Sequence, residues 1–224
     1  MQYAEVLRKL KSQTNPKNVQ GMVKFGINSK NTLGISIPIL RKLAKEIGTN
    51  HTIAQQLWDS GIHEARILAS MVDDPKQVSE KQMDLWTSDF DSWDVCDQVC
   101  MNFFDKTPHA FQKAKEWTRR DNEFEKRAGF ALMACLAWHD KNSSNESFSH
   151  FFSLIKQAAT DERNFVKKAV NWALRQIGKR NRNLNKMAIG TAQEIIKIDS
   201  KTAKWIATDA LRELTSDAIL KRLT

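Results

Sequence analysis

What most constrains the fold of this chain is the period of its apolar residues, which recur three and four apart almost throughout and nowhere keep the strict alternation of a half-buried strand. The period predicts helices over 2–13, 17–25, 37–48, 50–59, 62–72, 79–89, 92–104, 108–117, 121–140, 147–158, 162–179, 184–197, 199–211 and 215–222. Pro16, Pro38, Pro75 and Pro108 fall where helices are expected to begin, and Ser36 reads as an N-cap with Pro38 in the first turn. Gly48 and Gly178 follow periodic segments and read as C-terminal stops. Successive pairs spaced by about 35 to 40 residues match the period of HEAT-type repeats, in which each pair buries its face against its neighbours. The expected fold is therefore all-α: a curved solenoid of antiparallel helix pairs, one domain over residues 1–224, with a concave face as binding surface. A compact helical bundle is the alternative.

Charge narrows the partners. The chain carries 35 Lys and Arg against 26 Asp and Glu, a formal charge of +9, which favours polyanions. Residues 161–224 hold 14 basic and 7 acidic residues, so +7 of the excess is C-terminal. No apolar run approaches about 18 residues and the N-terminus MQYAEVLRKL is amphipathic, so a soluble, cytoplasmic protein without a membrane span is expected. Three cysteines cannot form a framework of bridges. Cys96 with Cys100 and Cys135 with His139 have the i, i+4 spacing of zinc ligands, but small buried core residues are the favoured reading. The polar loop HDKNSSNES (139–147) is the one low-complexity stretch.

Phosphate-loop, zincin and hydrolase-elbow motifs are absent, so the chemistry must lie elsewhere. In DSWDVCDQVC (91–100), Trp93 and Asp97 are i and i+4 and share a helix face, while Asp94 points about a quarter turn away. In FVKKAVNWALRQIGKRNR (165–182), Lys168, Trp172 and Arg175 alternate basic, aromatic and basic side chains along one face. Such a stripe suits a sugar-phosphate backbone, though an amphipathic helix with Trp172 in the core explains it as well. In EFEKRAGFALMACLAWHD (123–140), Arg127 stands near a helix start, either as a solvated first-turn residue or as a fork aimed at phosphate.

Taken with LGISIPILRKLAKEIG (33–48), the segments SWDVCD (92–97), EKRAGFAL (125–132) and VKKAVNWALRQIGK (166–179) resemble the DNA alkylation repair family, the AlkD-like alkylpurine DNA glycosylases. The resemblance runs from about residue 20 to residue 180, with the motifs in order. It implies HEAT-like repeats around a basic groove that holds duplex DNA, and hydrolysis of the N-glycosidic bond of cationic purines such as 3-methyladenine and 7-methylguanine. By position it makes Asp97 the catalytic carboxylate, Trp93 and Trp172 its flanking aromatics, and Phe25 a further lining residue of the lesion cleft. The expected DNA-binding cations are Arg127, Lys168, Arg175 and Lys179, and no metal, cofactor or partner subunit is expected. The loop 139–147 and the basic tail after residue 180 depart most from the family's pattern.

The chemistry fits the residues. A cationic alkylpurine already leaves well, so the transition state needs an anion beside the charge growing on the deoxyribose, and Asp97 supplies one. The competing class is a non-catalytic helical-repeat module that binds DNA or protein, with Asp97 as a cap or an ion-pair partner of Arg127.

Overall fold

The computed structural model describes residues 1–223, which form fifteen α-helices and one 3-10 turn with no strand among them. They make two compact units, the first ending at Pro108 and the second beginning at His109.

The first unit contains α1 (Tyr3–Ser12), α2 (Pro16–Val23), α3 (Ile37–Ile47), α4 (His51–Asp59), α5 (His63–Val72), α6 (Glu80–Ser88) and α7 (Trp93–Asn102). Its core is Leu40, Leu57, Trp58, Leu68, Met83, Trp86, Phe103 and Phe104, and the Trp58 and Trp86 rings stack at 4.0 Å. Helices α5 and α7 run parallel. His63 meets Asp94 in their first turns, and Asn102 donates to the Ser70 hydroxyl (3.3 Å) near their far ends. The lead into α3 is held by a carboxylate: Glu64, 1% exposed, accepts the N–H groups of Leu33 (2.8 Å), Gly34 (2.6 Å) and Ile35 (3.2 Å). These three donors precede the helix and have no ladder partner, so the buried charge satisfies them. Gly34 is required there twice over, because its φ is +78° and a Cβ would stand 2.2 Å from the Asn15 carbonyl oxygen.

The second unit contains α8 (Ala110–Trp117), α9 (Glu123–His139), α10 (Asn145–Ser149), α11 (Phe151–Gln157), α12 (Asn164–Gly178), α13 (Arg182–Ile195), α14 (Lys201–Leu214) and α15 (Asp217–Arg222). The run Ala128 to Ala137 of α9 is wholly buried, which explains why this helix is apolar all round. Gly129 lets α9 approach α8, since a Cβ there would lie 2.7 Å from the Thr118 backbone nitrogen. Helices α9, α12 and α14 run parallel: Arg127 reaches Phe165 and Arg180 reaches Ala137, while Asn171 donates to the Ile206 carbonyl and Lys179 meets Glu213.

The helical reading of the sequence holds, with local differences. The segment 147–158 is two helices broken at His150, where Ser149 and Ser153 hydroxyls bond carbonyls three residues back and compete with the helix ladder. Pro75 and Pro108 lie in turns ahead of α6 and α8 rather than in their first turns. Ser36 occupies the N-cap position of α3, but its side chain makes no capping bond. Gly48 ends α3 with φ +73° as expected. Gly178 does not act as a left-handed stop; it makes room for Ala188 and Leu214, whose side-chain carbons lie 2.8 Å from where its Cβ would be.

Candidate nucleic-acid interface

In the first unit the site begins with a brace between two segments. Trp93 is the first residue of α7, half-buried, and its indole N–H donates to the Phe25 carbonyl at 3.0 Å. The Phe25 ring itself is 72% exposed. Three residues on, Asn28 donates to Asp91 at 2.8 Å, so the turn after α2 is tied to the lead-in of α7 at two points. The structure thus brings Trp93 and Phe25 together. Asp97 lies one helical turn after Trp93 on the same face and is half-buried.

Asp94 has a separate task. Its carboxylate accepts the Ser92 hydroxyl at 2.6 Å and lies 2.8 Å from Nε2 of His63, whose side chain is 3% exposed. Burial disfavours charge on both partners, but their mutual hydrogen bond and attraction win, with Ser92 and the Val95 N–H also favouring the carboxylate. The His63 pKa is therefore raised and the Asp94 pKa lowered. Position in the first turn of α7 adds a favourable interaction with the helix dipole.

In the second unit Arg127 is 5% exposed, so the solvated first-turn reading is corrected: its guanidinium donates to the Phe165 carbonyl at 2.6 Å and links α9 to α12. On α12, Lys168 is exposed and Trp172 half-buried. Arg175 and Lys179 follow on the same side, but both are engaged by α14: Glu213 lies 2.5 Å from Arg175 and 2.7 Å from Lys179, and Asp209 is 3.6 Å from Arg175. Burial of Glu213 favours its neutral form, yet the two cations outweigh that and hold its pKa below the ordinary carboxylate value.

Sequence reading missed Trp205. This residue of α14 is 43% exposed and carries the Lys167 ammonium over its ring at 5.6 Å. Helical spacing could have found it, since Lys201, Trp205, Thr208 and Arg212 recur at i, i+4, i+7 and i+11 and are all exposed. Missed too were His63 and Glu64, adjacent residues whose partners lie about thirty residues away in opposite directions along the chain. Cys96, Cys100 and Cys135 are buried free thiols, and no cluster of three His, Cys, Asp or Glu side chains among the described residues could hold a metal ion. No described helix is long and apolar enough to cross a membrane.

Such an arrangement offers a half-buried carboxylate beside a fixed indole in one unit, and exposed aromatic and cationic side chains in the other. Residues 6–214 match the family described as DNA alkylation repair enzyme. A solved structure from a family related to the HEAT-like repeat DNA glycosylases, with affinity for branched DNA structures, aligns with 21% identity over 95% of each chain and a TM-score of 0.78. That likeness establishes the HEAT-like fold. A designed armadillo repeat protein aligns over 79% of this chain and 92% of its own at 16% identity, with a TM-score of 0.36. No curated protein matches the chain.

Proposed function

The chain belongs to the DNA alkylation repair enzyme family, and from that premise we propose that it is a DNA glycosylase acting on positively charged alkylpurines in duplex DNA, such as 3-methyladenine and 7-methylguanine. The observation that carries this reading is Asp97, a half-buried carboxylate one turn after an indole whose N–H is fixed to the Phe25 carbonyl. A basic protein gains nothing for general DNA affinity by placing an acid there. In the proposed reading the gain lies in the reaction.

As the bond from C1′ to the purine nitrogen breaks, its electron pair neutralises the cationic base and positive charge develops on the deoxyribose. Asp97 stabilises that charge and orients the water whose oxygen bonds to C1′, and the water's proton passes to the carboxylate or to solvent. Trp93 presents a π face to the cationic sugar, worth roughly 0.5 to 2 kcal/mol, and Trp172, on the second unit, offers a like face to DNA. Phe25 lines the lesion side. Lys168 takes backbone phosphate, with Arg175 and Lys179 contributing the charge that Glu213 leaves. Arg127 supports this surface mainly from within, by tying α9 to α12. The reaction so written needs neither metal nor cofactor.

The test is release of free methylated base from DNA treated with a methylating agent, wild type against Asp97→Asn. Equal release by the two would reject the catalytic role of Asp97.

A second reading, DNA binding without cleavage, draws on the structural relative with affinity for branched DNA. Exposed Trp205 with Lys167 over its ring favours it, because such a pair suits an unstacked base. Absence of base release from any methylated duplex, with tight binding to a four-way junction, would select it.

A further inference from the structure

The loop 139–147 and the basic tail, which the proposed reaction does not use, meet in the second unit at one cleft of about 650 Å³. Its walls are the end of α9 (Ala137, Trp138), the loop (Lys141, Ser143, Asn145), the end of α12 and its continuation (Gln176, Lys179 to Asn181), and Arg222 with Leu223. Four of these residues are cationic and none is acidic. Trp138 is 51% exposed on this wall, with the His139 ring stacked against it at 5.2 Å between centroids.

The cleft is built, not floppy. Asp140 accepts the backbone N–H groups of Asn142 (2.8 Å) and Ser143 (2.9 Å) and the Ser143 hydroxyl (2.6 Å), which folds the loop into a tight turn. Arg180 fastens that turn to α9 by donating to the carbonyls of Ala137 (3.0 Å), Asp140 and Ser143 (3.4 Å), and its guanidinium lies 3.9 Å from the centre of the Phe148 ring. Asn181 donates to Asn145 at 2.7 Å and closes one side. Arg182 holds the tail in place by donating to the Leu223 carbonyl at 2.6 Å. Arg180 is thus part of the wall, and Lys179 shares its charge with Glu213. Arg222 is exposed and makes no ion pair among the described residues. Trp138 stands eleven residues along α9 from Arg127, about 16 Å on a helix, so the cleft is distinct from the Arg127–Phe165 contact.

We propose that this cleft is a nucleotide site, with a base stacked on Trp138 and its phosphate held by Lys141 and Arg222. The volume lies within the range of small-ligand pockets, the aromatic face accepts any base, and exposed Arg222 with Lys141, whose ammonium also donates to the Trp138 carbonyl, selects a phosphate-bearing one. A free nucleotide and an unpaired nucleotide at a DNA end share that chemistry.

Binding of deoxyadenosine monophosphate, of a duplex with a single-stranded overhang and of the same duplex with blunt ends separates the sources. Trp138→Ala is expected to weaken the nucleotide, the overhang or both by about tenfold, the scale of one lost stacking contact, while leaving blunt-duplex binding and base release from methylated blunt duplex unchanged. Loss confined to the mononucleotide identifies a free nucleotide, and loss confined to the overhang identifies a DNA end. Unchanged binding of both, or an equal loss on all three ligands, overturns the proposal. Arg222→Ala, a change at an exposed position, is expected to reproduce the loss and serves as the deciding variant if Trp138→Ala alters the circular dichroism melt.

Discussion

Two helices, one in each unit, carry a tryptophan followed by charges at helical spacing, and their neighbours treat those charges differently. On α7 the carboxylate turned away from Trp93, Asp94, is locked to His63 and Ser92. On α12 the cations on the Trp172 side, Arg175 and Lys179, are the locked ones, held by Glu213 of α14. Periodicity decides which side chains share a face. The adjacent helix decides which of their charges a ligand can use.

The sharpest way to break the comparison lies on α7. Asp97→Asn keeps the side chain's size and removes the charge, so base release from methylated DNA is expected to fall about 10²- to 10⁴-fold, the range for losing an electrostatic or acid-base group. Affinity for undamaged duplex is expected to hold or tighten, because an anion facing phosphates is gone. Asp94→Asn is expected to leave turnover nearly unchanged.

Asp94→Asn acts on stability instead, by about 1 to 3 kcal/mol, since it removes the charge from a buried hydrogen-bonded pair. The effect depends on pH. The raised His63 pKa stabilises the fold fully below the unfolded histidine value of about 6.5, and that contribution fades as pH rises through the folded value. The lowered Asp94 pKa stabilises above the unfolded aspartate value of about 3.9, and its contribution is lost as pH falls through the folded value. Melting curves are therefore expected to separate wild type from Asp94→Asn most between about pH 4 and 6.5, and less at pH 8.5. An equal gap at pH 5.5 and 8.5 would show that the pair carries no charge.

Much of this was legible in the sequence, for identifiable reasons. The Trp93 and Asp97 spacing is local to one helix, and local spacing survives folding. The run Ala128 to Ala137 of α9 is apolar in the sequence itself, and burial follows from that. The Arg127 environment was not legible, because its partner is a backbone carbonyl at Phe165, thirty-eight residues away, which no side-chain pattern marks. The same holds for Glu64, whose three partners are backbone N–H groups. Gly178 reads as a stop because it ends a periodic segment, yet its lack of a side chain serves packing against α13 and α14. Ion pairing on α12 depended on the register of α14, which is fixed by buried contacts such as Asn171 to the Ile206 carbonyl.

Among the α12 cations, Lys168→Ala is expected to weaken duplex binding several-fold and to reduce the slope of log affinity against log salt by about 0.9, the share of one phosphate contact. Arg175→Ala is expected to do less, because Glu213 and Asp209 already hold that guanidinium. Fluorescence anisotropy between about 50 and 200 mM salt measures both. A larger slope change for Arg175→Ala than for Lys168→Ala would reverse the ranking that the ion pairs imply.

The gentlest change addresses the lock itself. Glu213→Gln keeps the shape of the α14 side chain and removes the anion between Arg175 and Lys179, so the two cations lose their shared partner without losing their place on the helix. Duplex affinity is expected to rise by a few-fold at low salt and the salt slope to steepen by about one, since a cation formerly neutralised by protein now neutralises phosphate. Stability is expected to change little, because the three side chains are partly exposed and such pairs contribute about 0 to 1 kcal/mol. Combining Glu213→Gln with Arg175→Ala distinguishes a freed side chain from a general change in charge: if Arg175 is the group released, the second substitution removes most of the gained affinity. Persistence of the full gain in the double variant would assign it to Lys179 or to the altered field around α14, and the α12 stripe would then contact DNA through its two lysines.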